Sequence, residues 1–139
     1  MAYAVTQDLV DSFGEAELID LTDRDDPATG AVVSAVATRE IAAASAEVDG
    51  YCTGHYALPL APVDLLVKNI VMDLARYRLY TRAAPDEVVE RAKTARAQLR
   101  DINAGKLRLT AAVADATAPG VGLVEMVTND RVFSRDVRP

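Results

Sequence analysis

The sequence predicts an all-α protein, a compact bundle of about four to five helices followed by an irregular C-terminal tail with at most a short strand. Three observations predict it. Between Ala31 and Ile102, apolar residues recur at spacings of three and four, which lines them along one face of each successive helix. Alanine is dense in the same region, which favours helix and close helix packing. Finally, 139 residues with 50% apolar content suffice for a single core, since a chain of this size buries about two-thirds of its unfolded surface. The periodicity divides the chain into a helical domain, residues 1–105, and an extended arm, residues 106–139.

The elements follow in order. Thr6 is placed to cap a short helix, Gln7 to Phe13, that buries Leu9, Val10 and Phe13. Gly14 breaks it, and Glu15 to Leu21 forms a second short helix with Leu18, Ile19 and Leu21 inward. Residues 22–30 read as a loop by composition. A long helix from Ala31 to Asp49 carries its stripe on Val33, Val36, Ala37, Ile41, Ala44 and Val48, with Gly50 as its terminator. Pro62 suits the first turn of the next helix, which runs to about Tyr80 and turns Val63, Leu66, Val67, Ile70, Val71, Leu74 and Tyr77 inward. It is the most apolar segment and therefore the expected centre of the bundle. Pro85 opens a last helix, with Asp86 and Glu87 at the positive end of its dipole. Val88, Ala92, Ala95, Leu99 and Ile102 form its buried side, Arg91, Arg96 and Arg100 its wet side, and Gly105 its end. Lys106 to Leu109 alternates polar and apolar as a short strand would. Ala111 to Gly122 has a linker's composition. The last stretch scatters Leu123, Val124, Met126, Val127, Val132 and Phe133 among polar residues, a pattern that cannot bury itself and is expected either to stay mobile or to find its partner on another molecule.

Charge and composition narrow the function classes. Residues 1–50 hold eleven acids against Arg24 and Arg39, a balance of −9, whereas residues 51–104 stand at +2 and the remainder at +1. An acidic half beside a mildly basic half is either an ordinary solvated surface or a pair of complementary faces that meet between copies. With no dense basic patch, sequence-independent nucleic-acid binding is disfavoured. One cysteine, Cys52, and one histidine, His55, exclude a disulfide framework and a multi-cysteine zinc site, and fit a reducing cytosol. No apolar run of about 18 residues exists to span a membrane, and the first residues lack the pattern of a signal peptide.

Chemistry is correspondingly scarce, and no catalytic, cofactor-binding or metal site is expected. Asp20, Asp23, Asp25 and Asp26 suggest a calcium loop, but counting from Asp23 the sixth and twelfth positions are Ala28 and Ser34, where glycine and glutamate are required. Turn formation and capping explain the acids better. Cys52 and His55 lack a third, orienting group, and read as loop residues. No phosphate-cradling glycine loop, nucleophile elbow or zinc helix is present. Asp73 and Arg76, three apart on the most apolar helix, are expected to form a structural ion pair, with Asp49 as an alternative partner for Arg76. Tyr51, Tyr56, Tyr77 and Tyr80 fit core or interface positions with a hydroxyl at the edge. Arg131, Phe133 and Arg135 are the residue types favoured as interface anchors, and mark the tail as the segment that grips a neighbour.

A set of short blocks carries a resemblance. They are Tyr3-Ala4-Val5-Thr6-Gln7-Asp8-Leu9-Val10, Phe13-Gly14-Glu15-Ala16-Glu17-Leu18, Leu21-Thr22-Asp23-Arg24, Ala46-Glu47-Val48-Asp49-Gly50-Tyr51, Tyr56-Ala57-Leu58-Pro59-Leu60, Asp73-Leu74-Ala75-Arg76-Tyr77-Arg78-Leu79-Tyr80, Ile102-Asn103-Ala104-Gly105-Lys106 and Arg131-Val132-Phe133-Ser134-Arg135. In this order and spacing the chain resembles a family of Mu-like phage and prophage proteins, formerly a domain of unknown function, which are similar to head–tail connector (adaptor) proteins of tailed phages. It departs from that pattern at His55, where the family usually has arginine, and at Cys52, usually apolar. The resemblance implies a non-enzymatic ring, about twelve-fold, assembled from copies of itself through head-to-tail contacts. The ring would sit in the virion neck between the portal protein and the next neck or tail-completion protein, after assembly in the host bacterial cytoplasm. DNA would pass through it without specific binding, past a wall made negative by the acidic first half. The competing expectation is a small helical regulatory or protein-binding module encoded by a prophage, using a groove between helices. Removal of the chain beyond Gly105 is expected to spare the fold and weaken assembly.

Overall fold

A computed structural model describes residues 2–114. Five helices make up the described part: α1 (Thr6–Phe13), α2 (Glu15–Thr22), α3 (Ser34–Cys52), α4 (Leu65–Leu79) and α5 (Asp86–Asn103). The fold is an all-α bundle, as expected. α3, α4 and α5 pack on one another, α1 packs on α3 and α4, and α2 packs on α1 and α3. Its centre is α4, where Val67, Ile70, Val71 and Leu74 are almost fully buried. Against it α3 sets Ala37, Ile41, Ala44 and Val48, and α5 sets the expected stripe of Ala92, Ala95, Leu99 and Ile102. The alanines let the helix axes approach, so apolar contact is gained at little side-chain entropy cost.

Several boundaries differ from the sequence reading, each for a local reason. α1 starts at Thr6 with Val5 as its cap. The Val5 N–H donates to Asp8 Oδ2 at 2.9 Å, so the third-position acid rather than the Thr6 hydroxyl holds the first turn. Gly14, at φ 94°, ends α1 and starts α2, a backbone conformation side-chain-bearing residues rarely adopt. α3 begins at Ser34, not Ala31, because the buried Thr22 hydroxyl accepts the Val33 N–H at 2.9 Å and holds that residue extended. The same hydroxyl donates to the Leu18 carbonyl at 2.6 Å. Asp23 accepts the N–H groups of Thr29 (3.1 Å) and Gly30 (2.7 Å), so the acid-rich loop is turn structure, as its composition suggested.

Gly50 does not terminate α3. The helix runs on to Cys52, and the chain reverses at Gly54, whose φ is 86°. Val48 and Cys52 stand one turn apart and are both fully buried, so packing carries the helix through a glycine that costs only about 1 kcal/mol there. α4 likewise starts at Leu65 rather than Pro62, leaving Val63 exposed. The preceding segment bends at Ala61 and Pro62 and is tied to the chain beyond α5: the Ala61 carbonyl accepts the Ala112 N–H at 3.2 Å.

Beyond Gly105 (φ 76°), Lys106–Leu109 forms no strand. Tyr56 and Val113 make a lone antiparallel bridge, and the Leu109 N–H donates to the Tyr56 hydroxyl at 3.0 Å. Leu109 and Ala111 are buried in the core. The arm expected from residue 106 thus begins by packing on its own domain. Its remainder, including Arg131, Phe133 and Arg135, lies outside the described residues. No helix among the described residues is long and apolar enough to cross a membrane.

Candidate functional site

Among the described residues a groove of about 540 Å³ lies between the end of α1, α4 and α5. Phe13, Leu66, Ile70 and Met72 give it an apolar floor, and Asp73, Glu87, Glu90 and Arg91 give it a charged rim. At its lower end Phe13 meets two guanidinium groups, Arg76 at 4.4 Å and Arg91 at 5.7 Å from the ring centroid. Arg76 forks onto Glu17, Nε to Oε1 at 2.7 Å and Nη2 to Oε2 at 3.1 Å. The Tyr80 hydroxyl adds a third donor to Glu17 at 3.1 Å. Burial alone would lower the Arg76 pKa, but the hydrogen bond and charge of Glu17 outweigh it and the net shift is upward. Asp73 behaves oppositely. Burial raises its pKa, and the nearby charges of Arg91 and Arg76 offset that only in part. The groove therefore presents a carboxylate held in a site that favours an additional cation.

A second feature lies at the end of the bundle where α3 finishes and α4 starts. Ala57 donates to the Ala112 carbonyl at 2.9 Å and Ala114 to the His55 carbonyl at 3.2 Å, and Asp64 takes both the N–H and the hydroxyl of Thr110. The two segments tied by these bonds leave Leu58 (42%), Val63 (40%), Leu65 (72%) and Val113 (72%) in water. These four exposed apolar side chains lie in or next to the two tied segments.

The expected ion pair is corrected. Among the described residues Arg76 pairs with neither Asp73 nor Asp49; its partners are Glu17 and Glu87, the latter at 3.8 Å. Asp73 is faced instead by Arg91 at 3.5 Å, and Asp49 accepts the Tyr3 hydroxyl. The reason is geometric: Glu17 on α2 takes the Arg76 guanidinium with both carboxylate oxygens, the strong two-pronged form of the pair. Cys52 and His55 touch through the backbone, His55 N–H to Cys52 carbonyl at 3.0 Å. The thiol is buried, and burial, aided by Asp49, pushes its pKa up, away from nucleophilic behaviour. Tyr56 is buried and structural, and Tyr77 lies under Arg96 at 5.5 Å. Among the described residues no group of three or more acidic, histidine or cysteine side chains is arranged to hold a metal ion.

Sequence reasoning missed Glu17, Phe13 and Tyr3. Phe13 and Glu17 are four apart across Gly14, a spacing that becomes informative only once two short helices are known to share that glycine. The Tyr3 contacts span more than forty residues and leave no local signal.

The family described as Bacteriophage Mu, Gp36 matches the chain over residues 3–128. Gene product J of Escherichia phage Mu is 29% identical over 136 residues, covering 97% of this chain and 96% of that protein.

Proposed function

The chain belongs to the Bacteriophage Mu Gp36 family, and from that premise we propose that it is a structural neck subunit, a head–tail connector that assembles as a ring under the portal and extends the DNA channel. In this reading it is no enzyme and needs no cofactor. Its partners are copies of itself, the portal protein and the next neck or tail-completion protein, and it acts in the virion neck after assembly in the host bacterial cytoplasm. The observation that carries the reading is the exposed apolar end formed by Leu58, Val63, Leu65 and Val113. Covering these groups with another surface is worth roughly 25 cal/mol per Å² of apolar area removed from water. Head-to-tail contacts between unlike surfaces close into rings, and the apolar end and the charged groove are two unlike surfaces on one domain.

The test is a comparison of neck particles made with and without this protein, by negative-stain microscopy and by retention of packaged DNA. The reading expects a layer of density beneath the portal that disappears with the protein, together with loss of DNA. Particles of identical neck length and DNA content would overturn it. A substitution in the apolar end, Leu65→Glu, is expected to leave the melting of the isolated protein unchanged and to abolish incorporation.

A further inference from the structure

We propose that the groove between α1, α4 and α5 is the seat for the Arg131–Arg135 segment of a second copy. The inference rests on the ring reading above and names the contact that joins one subunit to the next. Charge complementarity carries it. On the groove's rim Asp73, Glu87 and Glu90 outnumber Arg91, and Glu87 and Glu90 are well exposed. Within the short segment 130–138, Arg131, Arg135 and Arg138 outnumber Asp130 and Asp136. The pattern of the segment matches the groove as well as its sign. Bound as an extended strand, in which residues two apart point the same way, the segment would set Arg131, Phe133 and Arg135 on one face over about 13 Å. Phe133 then meets the apolar floor of Leu66, Ile70 and Met72, and the flanking guanidiniums meet the carboxylates. Asp73 is the specific element. Its charge is desolvated and only partly compensated by Arg91 at 3.5 Å, so a further guanidinium is worth more there than at an exposed acid. Occupation by a second copy rather than by the same chain follows from the ring: a head-to-tail interface needs each subunit to give one surface and receive on another.

The experiment replaces Phe133 with a photoreactive benzophenone phenylalanine in the full-length chain. Labelled (¹⁵N) and unlabelled protein are mixed, irradiated in concentrated solution and in neck particles, and the cross-linked peptides sequenced. The expected products join position 133 to α1, α4 or α5 residues of the groove in mixed-isotope pairs. The yield is expected to fall about tenfold when Glu87→Lys and Glu90→Lys reverse the rim. Both are exposed, the Glu87–Arg91 and Glu90–Lys93 pairs are surface pairs, Glu87 also faces Arg76 at 3.8 Å, and a thermal melt checks that the fold is kept. Combining the reversed rim with Arg131→Glu and Arg135→Glu is expected to restore the yield. Cross-links elsewhere, same-isotope pairs only, no cross-link, or a yield indifferent to the rim would each overturn the proposal. Mixed pairs at the groove without neck incorporation would instead sink the ring reading while sparing this contact. Incorporation without groove cross-links would do the reverse.

Discussion

Tyr3 joins three parts of the chain. It is 5% exposed, its N–H donates to Ser45 Oγ at 3.1 Å, and its hydroxyl donates to Asp49 while accepting the Leu60 N–H at 3.0 Å. Burial, and then the hydrogen bond to Asp49, push its pKa up to about 12 against the opposing pull of the Leu60 N–H. The unfolded tyrosine loses its proton near pH 10, whereas the folded one holds it to about 12. The folded state therefore binds more protons within that window. Its contribution is fully present below pH 10 and is lost as the pH rises towards 12, about 2 to 3 kcal/mol at 1.36 kcal/mol per unit. Tyr3→Phe is expected to cost about 1 to 2 kcal/mol at neutral pH, because Asp49 and the Leu60 N–H lose their partner. It should also flatten the alkaline limb. Urea titrations of both proteins across this range decide the matter, and an equally steep alkaline loss in the variant would assign it to other groups. Such contacts were not legible in the sequence. Periodicity named the buried face of α4 correctly at Leu74 and Val71, but it carries no information on which acid of another helix Arg76 meets.

Elements were legible where packing and local preference agree, and shifted where they compete. The α5 stripe was read correctly residue by residue, since its glycine, its N-terminal acids and its apolar period all point the same way. At Gly50 they disagree. Glycine signals a stop, but Val48 and Cys52 both reach the core and hold the helix. The two glycines in this region therefore respond oppositely to alanine. Gly50 is helical with open space where a Cβ would stand, so Gly50→Ala is expected to raise stability by about 0.5 to 1 kcal/mol. Gly54 sits at φ 86°, and Gly54→Ala is expected to lower it by about 1 kcal/mol. Thermal melts of both variants check the pair, and a loss at Gly50 would mean that the helix does not run through it. The arm shows the same competition. Its polar-apolar alternation suggested a strand, yet Leu109 and Ala111 are buried in the core of the helical domain and the Tyr56 hydroxyl accepts the Leu109 N–H. Removal of everything after Gly105 is accordingly expected to destabilise the domain by about 2 to 5 kcal/mol, contrary to the expectation from composition. Removal after Ala114 is expected to leave the urea midpoint near that of the full chain. Equal midpoints for the two truncations would mean that residues 106–114 contribute nothing to the core.

At the scale of the molecule, the charge asymmetry along the chain turns out to be largely internal. Asp8, Glu17, Glu40 and Glu47 of the acidic half meet Lys68, Arg76, Arg78 and Arg96 of the basic half within one copy. Asp23 and Asp49 are engaged by backbone N–H groups and by Tyr3. The wall expected from the −9 balance thus shrinks to Asp11, Glu15, Asp20, Asp25 and Asp26, which are exposed and have no cation partner among the described residues. All five lie on α1, α2 and the loop that follows. If the proposed ring turns that side inward, these carboxylates repel a passing duplex whose phosphates come within a Debye length, about 10 Å at 0.1 M salt. Stability is a poor readout of their neutralisation, since exposed unpaired acids change it by only about 0.5 kcal/mol each. The informative readout is DNA. The fivefold variant, Asp11→Asn, Glu15→Gln, Asp20→Asn, Asp25→Asn and Asp26→Asn, moves the net charge of −6 five units towards neutral. It is expected to melt with the wild type and to slow DNA ejection from assembled particles, an effect that fades as salt rises because screening removes the same repulsion in the unmodified ring. Ejection unaltered at low salt would place this acidic side on the outside of the ring, and with it the α1 face of the groove.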